Sequence, residues 1–87
     1  MRHRASRKFW EHYLSLPSEV RALADKSFLL LKLDPLHPSL HFKKVGNVWS
    51  ARIGIHYRAL AGQSGDDVVW IWIGRHDAYD KLIGRGL

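Results

Sequence analysis

Apolar side chains recur along this chain at two different periods, and the change between them divides it in two. From Ser6 to Leu14 the large residues Phe9, Trp10, Tyr13 and Leu14 fall at i, i+1, i+4 and i+5, the spacing of one helix face. Leu16-Pro17-Ser18 interrupts that pattern. Pro17 suits the first turn of a second helix, where its missing N–H costs nothing, and Glu19 complements the helix dipole there. Val20, Leu23, Ala24, Ser27, Phe28 and Leu31 predict the buried stripe of that helix, which should run to about Lys32 or Leu33. Asp34-Pro35 closes it, because the residue before a proline is pushed out of the helical region. Two helices joined by so short a break form a hairpin.

Pro35 to Leu40, with prolines at 35 and 38, predicts an extended connector. Beyond it the hydrophobic period shortens towards two. His41–Val45, Val48–Ile53, Ile55–Ala61 and Val68–Ile73 read as four strands. Gly46-Asn47 and Gly54 form tight links, and residues 62–67 a longer loop before the last strand. Val68-Val69-Trp70-Ile71-Trp72-Ile73 is apolar at every position, which predicts a central strand covered on both faces. Asp77–Ile83 reads as a short closing helix. The whole is α+β, a single domain spanning 1–87, with a two-helix hairpin packed on a small antiparallel meander.

Composition narrows the class. At 87 residues the chain has room for one small core. A hydrophobic fraction of 46% with 4 Trp, 3 Tyr and 3 Phe excludes a disordered basic tail. The absence of cysteine excludes a disulfide scaffold and a Cys-ligated zinc module, and fits a reducing cytoplasm. No apolar run reaches the roughly 18–20 residues that span a bilayer, and no secretory stretch follows Met1-Arg2-His3-Arg4. The expectation is a soluble, cytoplasmic domain without a membrane partner.

Charge adds a partner class. Lys and Arg total 14 against 8 Asp and Glu, a formal charge of +6, which favours an anionic partner. Arg2, Arg4, Arg7 and Lys8 cluster at the start. From Pro35 to Gly65 there is no acid, while Lys43, Lys44, Arg52 and Arg58 are present with His37, His41 and His56. An acid-free middle is a sharper sign of an anion site than the net charge.

Strand alternation says which of these side chains meet. Ser50 and Arg52 share one face of their strand; His56, Arg58 and Leu60 share one face of the next. Pairing through Gly54 brings Arg52 and Arg58 onto one surface. Two guanidinium groups repel there unless an anion sits between them, and arginine's planar fork matches phosphate oxygens. Arg75 and His76 leave the last strand towards the same surface, and Tyr79 lies one helical turn on. Such a set suits cleavage of a phosphodiester in RNA. Arginines would stabilise charge developing on phosphorus, a histidine near its ordinary pKa of about 6.5 would move protons, and tyrosine would orient the substrate. The 2′-OH is the nucleophile, so this chemistry requires neither metal nor cofactor. Plain structural roles stand beside each assignment. Arg52 and Arg58 fit equally as solvated or acid-paired positions, and His76 with Asp77 as a capped helix start. Tyr79, Trp70 and Trp72 fit the core, and Lys43 and Lys44 an exposed strand. The residues alone carry an anion-binding α+β domain and no activity.

Several segments together resemble one family. Phe9-Trp10 through Leu16-Pro17, with Val20-Arg21-Ala22-Leu23-Ala24, resembles the paired helices of the RelE/ParE superfamily, the toxins of type II toxin–antitoxin systems. His37 to Val45 resembles the connector and strand that follow. Trp49-Ser50-Ala51-Arg52-Ile53-Gly54-Ile55-His56-Tyr57-Arg58 resembles its central hairpin, and Ile73-Gly74-Arg75-His76-Asp77-Ala78-Tyr79-Asp80 its C-terminal element. The resemblance implies two helices packed on a small antiparallel sheet. It further implies a metal-independent endoribonuclease that cuts mRNA, on the ribosome in some members, and is silenced by a cognate antitoxin. On that reading Arg52, Arg58, His76 and Tyr79 are catalytic, and Lys43, Lys44, His56 and Arg75 bind RNA phosphate. ParE-type members instead inhibit DNA gyrase without nuclease chemistry, and a toxin-like protein that only binds antitoxin is a third implication. Two departures matter. The strand lysine pair of RelE-type members reads Ser50 and Arg52 here, and arginine does not give up its proton, so acid–base work shifts to His76 or His56. Only Met1–Ala5 precedes the first helix, so the first strand of the family is expected to be short or missing, with a sheet edge exposed.

Overall fold

The computed structural model describes residues 2–84; Met1 and residues 85–87, the outer ends of the expected 1–87 domain, lie outside the described residues. Arg2–Ala5 forms a first strand, β1, so the strand expected to be short or missing is present as a short, four-residue edge. Ser6 then caps helix α1 (Arg7–Leu14). Its backbone is extended, and its Oγ accepts the Phe9 N–H at 3.2 Å, which satisfies one of the donors a helix start leaves orphaned. Helix α2 follows as Ser18–Leu33 with Pro17 at its N-cap and Asp34 at its C-cap. Val20, Ala24 and Leu31 of the expected stripe are buried, while Leu23 and Phe28 sit at its solvent margin.

The connector is not extended throughout. Pro38–Leu40 makes a turn of 3₁₀-helix, capped by the His37 ring, and buries Leu40. His41 leaves that turn in the left-handed region at φ 45°, so the second strand, β2, starts only at Lys43 (Lys43–Val45). Strand β3 covers Val48–Ile53, as the sequence predicts. The next link is longer than Gly54 alone: Gly54, at φ 63°, opens a turn through Ile55 and His56, and β4 runs Tyr57–Ser64. The loop expected at residues 62–67 shrinks to Gly65-Asp66, since β4 and β5 (Asp67–Arg75) pair out to Ser64 and Asp67. Helix α3 is His76–Gly84, one residue longer at each end than expected.

The five strands lie in the order β1-β5-β4-β3-β2. Neighbours pair antiparallel except β1, which joins β5 in parallel register. The apolar strand β5 is therefore interior, but β4 holds the middle. Val68, Trp70 and Ile73 of β5 are buried, whereas Val69, Ile71 and Trp72 stay half-buried, so the second face is not fully covered. A register shift opposite Leu60 and Ala61 re-aims the end of the strand, as bulges do. One face of the sheet carries Ala51, Ile53, Ala59, Trp70 and Ile73 towards the helical hairpin. Its floor is small at Ala51 and Ala59, which leaves an apolar crevice of about 310 Å³ under Phe9, Tyr13 and Phe28. Across the other face runs α3. Its Tyr79 hydroxyl donates to Ser50 Oγ at 3.4 Å, and Ser50 and Leu60 are buried on that face.

Candidate functional site

Register places Arg52 directly opposite Arg58 on β3 and β4. Both side chains stand on the face away from the helical hairpin, because Ala51 and Ala59, their alternating neighbours, line the crevice under it. Each guanidinium is steadied by one backbone carbonyl. Arg52 Nε donates to Gly54 O at 2.9 Å, and Arg58 Nη1 to Tyr57 O at 3.0 Å. A guanidinium has five N–H donors in a fixed fork, so most of both forks remain free for a ligand. The ion pairs among the described residues engage Arg2, Arg4, Arg75 and His76. Neither Arg52 nor Arg58 is neutralised by a carboxylate, and two adjacent positive charges are left facing outward.

Lys43 belongs to this face, since it opposes Ser50, whereas Lys44 opposes Trp49 and falls on the other side of the sheet. His56 does not share a strand with Arg58. It sits in the turn after Gly54, because a left-handed glycine lets the chain reverse over three residues. That turn brings it to His76. The His76 N–H donates to His56 O at 2.8 Å, and the two imidazoles stack at 6.3 Å with 25° between planes. Asp80 Oδ2 lies 3.8 Å from His76 Nδ1, one helical turn on. Tyr79 reaches the same face and is held there by Ser50.

Arg75 turns away. It opposes Tyr57, its guanidinium lies 5.8 Å from the centre of the Tyr57 ring, and its Nε is 3.5 Å from Asp77. Asp77 lies inside the first turn of α3 rather than before it. Its carboxylate is held below the ordinary range first by backbone N–H donation at its own position, then by Arg75 and His76. The face therefore gathers Arg52, Arg58, Lys43 and Tyr79, with the His56–His76 pair at its end, and parts from Lys44 and Arg75. Among the described residues no three His, Asp or Glu side chains cluster in a way that would hold a metal.

Sequence reasoning assigned one neighbour, Trp72, to the core, and the structure leaves it only partly covered. Trp72 is half-buried, and its indole lies on Gly74: a β-carbon there would come within 2.6 Å of Trp72 Cζ2. Beside it opens a groove of about 480 Å³ between the end of α1 and the start of α3, with His12, Tyr57, Arg75 and Lys81 around it. The i, i+2 spacing of Trp72 and Gly74 is the sequence signal that places a ring over a residue with no side chain.

No family model matches the chain, and no curated protein matches it. Solved structures do. A chain of the RelB–RelE antitoxin–toxin complex from Methanococcus jannaschii is 16% identical, with a TM-score of 0.70 over 91% of this chain and 96% of that one. The RelBE2 toxin–antitoxin complex of Mycobacterium tuberculosis gives 22% identity and 0.64 over 85% and 95%. The YoeB/ParE toxin from Agrobacterium tumefaciens gives 16% and 0.64 over 87% and 99%. At these identities the likeness establishes the fold, and the fold is that of RelE/ParE-type toxins.

Proposed function

We propose that this chain, built on the RelE/ParE-type fold, is the toxin of a type II toxin–antitoxin pair and cleaves mRNA without a metal. The observation that carries the reading is the Arg52–Arg58 pair, adjacent across two strands and without a carboxylate partner among the described residues. A phosphodiester relieves that repulsion and takes up the free N–H forks. The 2′-OH attacks phosphorus and loses its proton to an imidazole. The P–O5′ bond breaks, O5′ takes a proton from an acid, and the products are a 2′,3′-cyclic phosphate and a 5′-OH. Arginine cannot move those protons, since it stays charged. The imidazoles of His76 and His56 can, and the Asp80 carboxylate lies 3.8 Å from the His76 ring. Tyr79 orients the substrate from α3. That fold neighbours are solved with RelB supports a cognate antitoxin as the silencing partner, and a cytoplasmic location follows from an mRNA target. Among the described residues no helix is long and apolar enough to cross a membrane.

Purified protein and a short RNA, with a chelator and with or without ribosomes, test the reading. Cleavage leaving cyclic-phosphate ends is expected. Arg58→Ala should slow it by about 10²–10³-fold, the usual loss when one donor to a developing anion is removed, and His76→Ala should slow it by a comparable factor through loss of a proton carrier. No cleavage in either setting, together with inhibition of gyrase supercoiling by the wild type, replaces the nuclease with a ParE-like gyrase inhibitor.

A further inference from the structure

We infer that the groove beside Trp72 is a nucleotide subsite, which takes the base and phosphate flanking the phosphodiester held by Arg52 and Arg58. The inference rests on the reading of the arginine face as an RNA-binding surface. Four observations carry it. The groove adjoins that face, because Gly74 is the cross-strand partner of Arg58 and neighbouring strands lie about 4.8 Å apart. A flanking nucleotide therefore reaches it without leaving the sheet. Its opening exists because β1 pairs with β5 only as far as Trp70, so the edge of β5 beyond that point has no strand beside it. Its volume of about 480 Å³ falls in the range of small-molecule sites.

Its chemistry is that of single-strand recognition, in which bases stack on aromatic faces and cations follow the backbone. Trp72 supplies a half-exposed indole whose position is fixed twice. Gly74 leaves room beneath the ring, and His12 meets it edge-on at 6.2 Å between centroids. Tyr57 supplies a second ring, already covered by the Arg75 guanidinium at 5.8 Å. Lys81 and His12 stand at the margin. Asp77 pairs with Arg75, and Lys81 makes no ion pair among the described residues, which leaves its charge for a phosphate. A buried indole would pack without space above it; this one faces a groove lined by Arg75 and Lys81, with Asp77 beside Arg75.

The test uses the full chain and a labelled single-stranded oligonucleotide carrying 2′-O-methyl groups, which cannot be cleaved at the 2′-OH, with binding read by anisotropy. Trp72→Ala should weaken binding by about 5–150-fold, the range of one lost base stack. Trp72→Phe keeps a ring over Gly74 and with it the fold, and should bind within a few-fold of wild type. Lys81→Gln, an exposed change, should lower affinity and make the salt dependence shallower by about 0.7 in log–log slope. Equal binding by wild type, Trp72→Ala and Lys81→Gln overturns the subsite, as does absence of oligonucleotide binding in the wild type. Trp72-dependent binding of the blocked oligonucleotide, with no cleavage of its unblocked RNA counterpart either with or without ribosomes, leaves the subsite standing and removes the nuclease.

Discussion

At the scale of single residues, the two arginines were legible, and His56 and His3 were not. Alternation along Val48–Ile53 and a glycine after it suffice to put Arg52 and Arg58 on one face; that they stand directly opposite follows from the three-residue turn between the strands. His56 depended on whether the reversal used one residue or three, which is set by Gly54 adopting φ 63° and by packing above it, not by local pattern. His3 was invisible for another reason: its role comes from partners far along the chain. Trp70 Nε1 donates to its Nδ1 at 3.2 Å, the two rings stack at 6.1 Å, and Phe28 meets it edge-on at 5.9 Å. Burial lowers its pKa, with nearby positive charge adding, and the accepted hydrogen bond requires a bare Nδ1. In the unfolded chain the imidazole titrates near 6.5. Between that value and the lower folded one the unfolded state binds more protons, so stability falls as pH falls. The contribution is complete above about pH 7 and lost as pH drops through the folded pKa. His3→Asn keeps an acceptor near Nδ1 but does not titrate. The urea midpoint of the wild type should therefore decline from pH 7.5 to pH 5 more steeply than that of His3→Asn. Parallel profiles would show that His3 is not the titrating group.

Elements whose evidence is local were read correctly, and elements made by distant pairing were not. The helical hairpin and β3 are written in short-range periodicity and in Pro17 and Asp34-Pro35. Strand β1 has no such signature, because Arg-His-Arg-Ala alternates charge with small or aromatic residues and its apolar content is slight. It is a strand because β5 offers it a parallel edge and because Asp67 ties it down. The Asp67 carboxylate meets Arg2 Nε at 3.2 Å and Arg4 Nε at 3.4 Å. It is held below the ordinary carboxylate range chiefly by the Arg2 hydrogen bond. The bond is solvent-exposed, so its effect is confined to the edge it fastens. Asp67→Asn should speed amide exchange in β1 while the amides of β3 and β4 keep their wild-type rates. Acidifying the wild type through the lowered pKa of Asp67 should do the same, because its contribution is present above the unfolded value near 3.9 and lost below the folded one. Uniform acceleration across the sheet would instead make β1 part of the global folding unit.

For the molecule as a whole, the question is which part of the +6 charge meets an anion. Net charge treats every cation alike, and the N-terminal cluster is the densest in sequence. Structure separates them. Arg2 and Arg4 share Asp67, and Arg7 and Lys8 ride on α1, whose fellow residues Phe9 and Tyr13 roof the crevice above the sheet's other face. Lys43, Arg52 and Arg58 lie on one face, and none of the three makes an ion pair among the described residues. Each phosphate neutralised on a single strand contributes about −0.7 to the slope of log affinity against log salt. These three cations predict a slope of about −2 for a non-cleavable RNA, before any share from the groove beside Trp72. Lys43→Gln should reduce that slope by about 0.7 and leave folding unchanged, because Lys43 is exposed on a short edge strand. The double change Arg7→Gln with Lys8→Gln removes more charge and should leave the slope where it was. Should the N-terminal pair prove as costly as Lys43, long-range net charge would govern binding and the placement of the arginines would not. If instead only Lys43 flattens the salt dependence, the face that carries Lys43, Arg52 and Arg58 is where the anion sits.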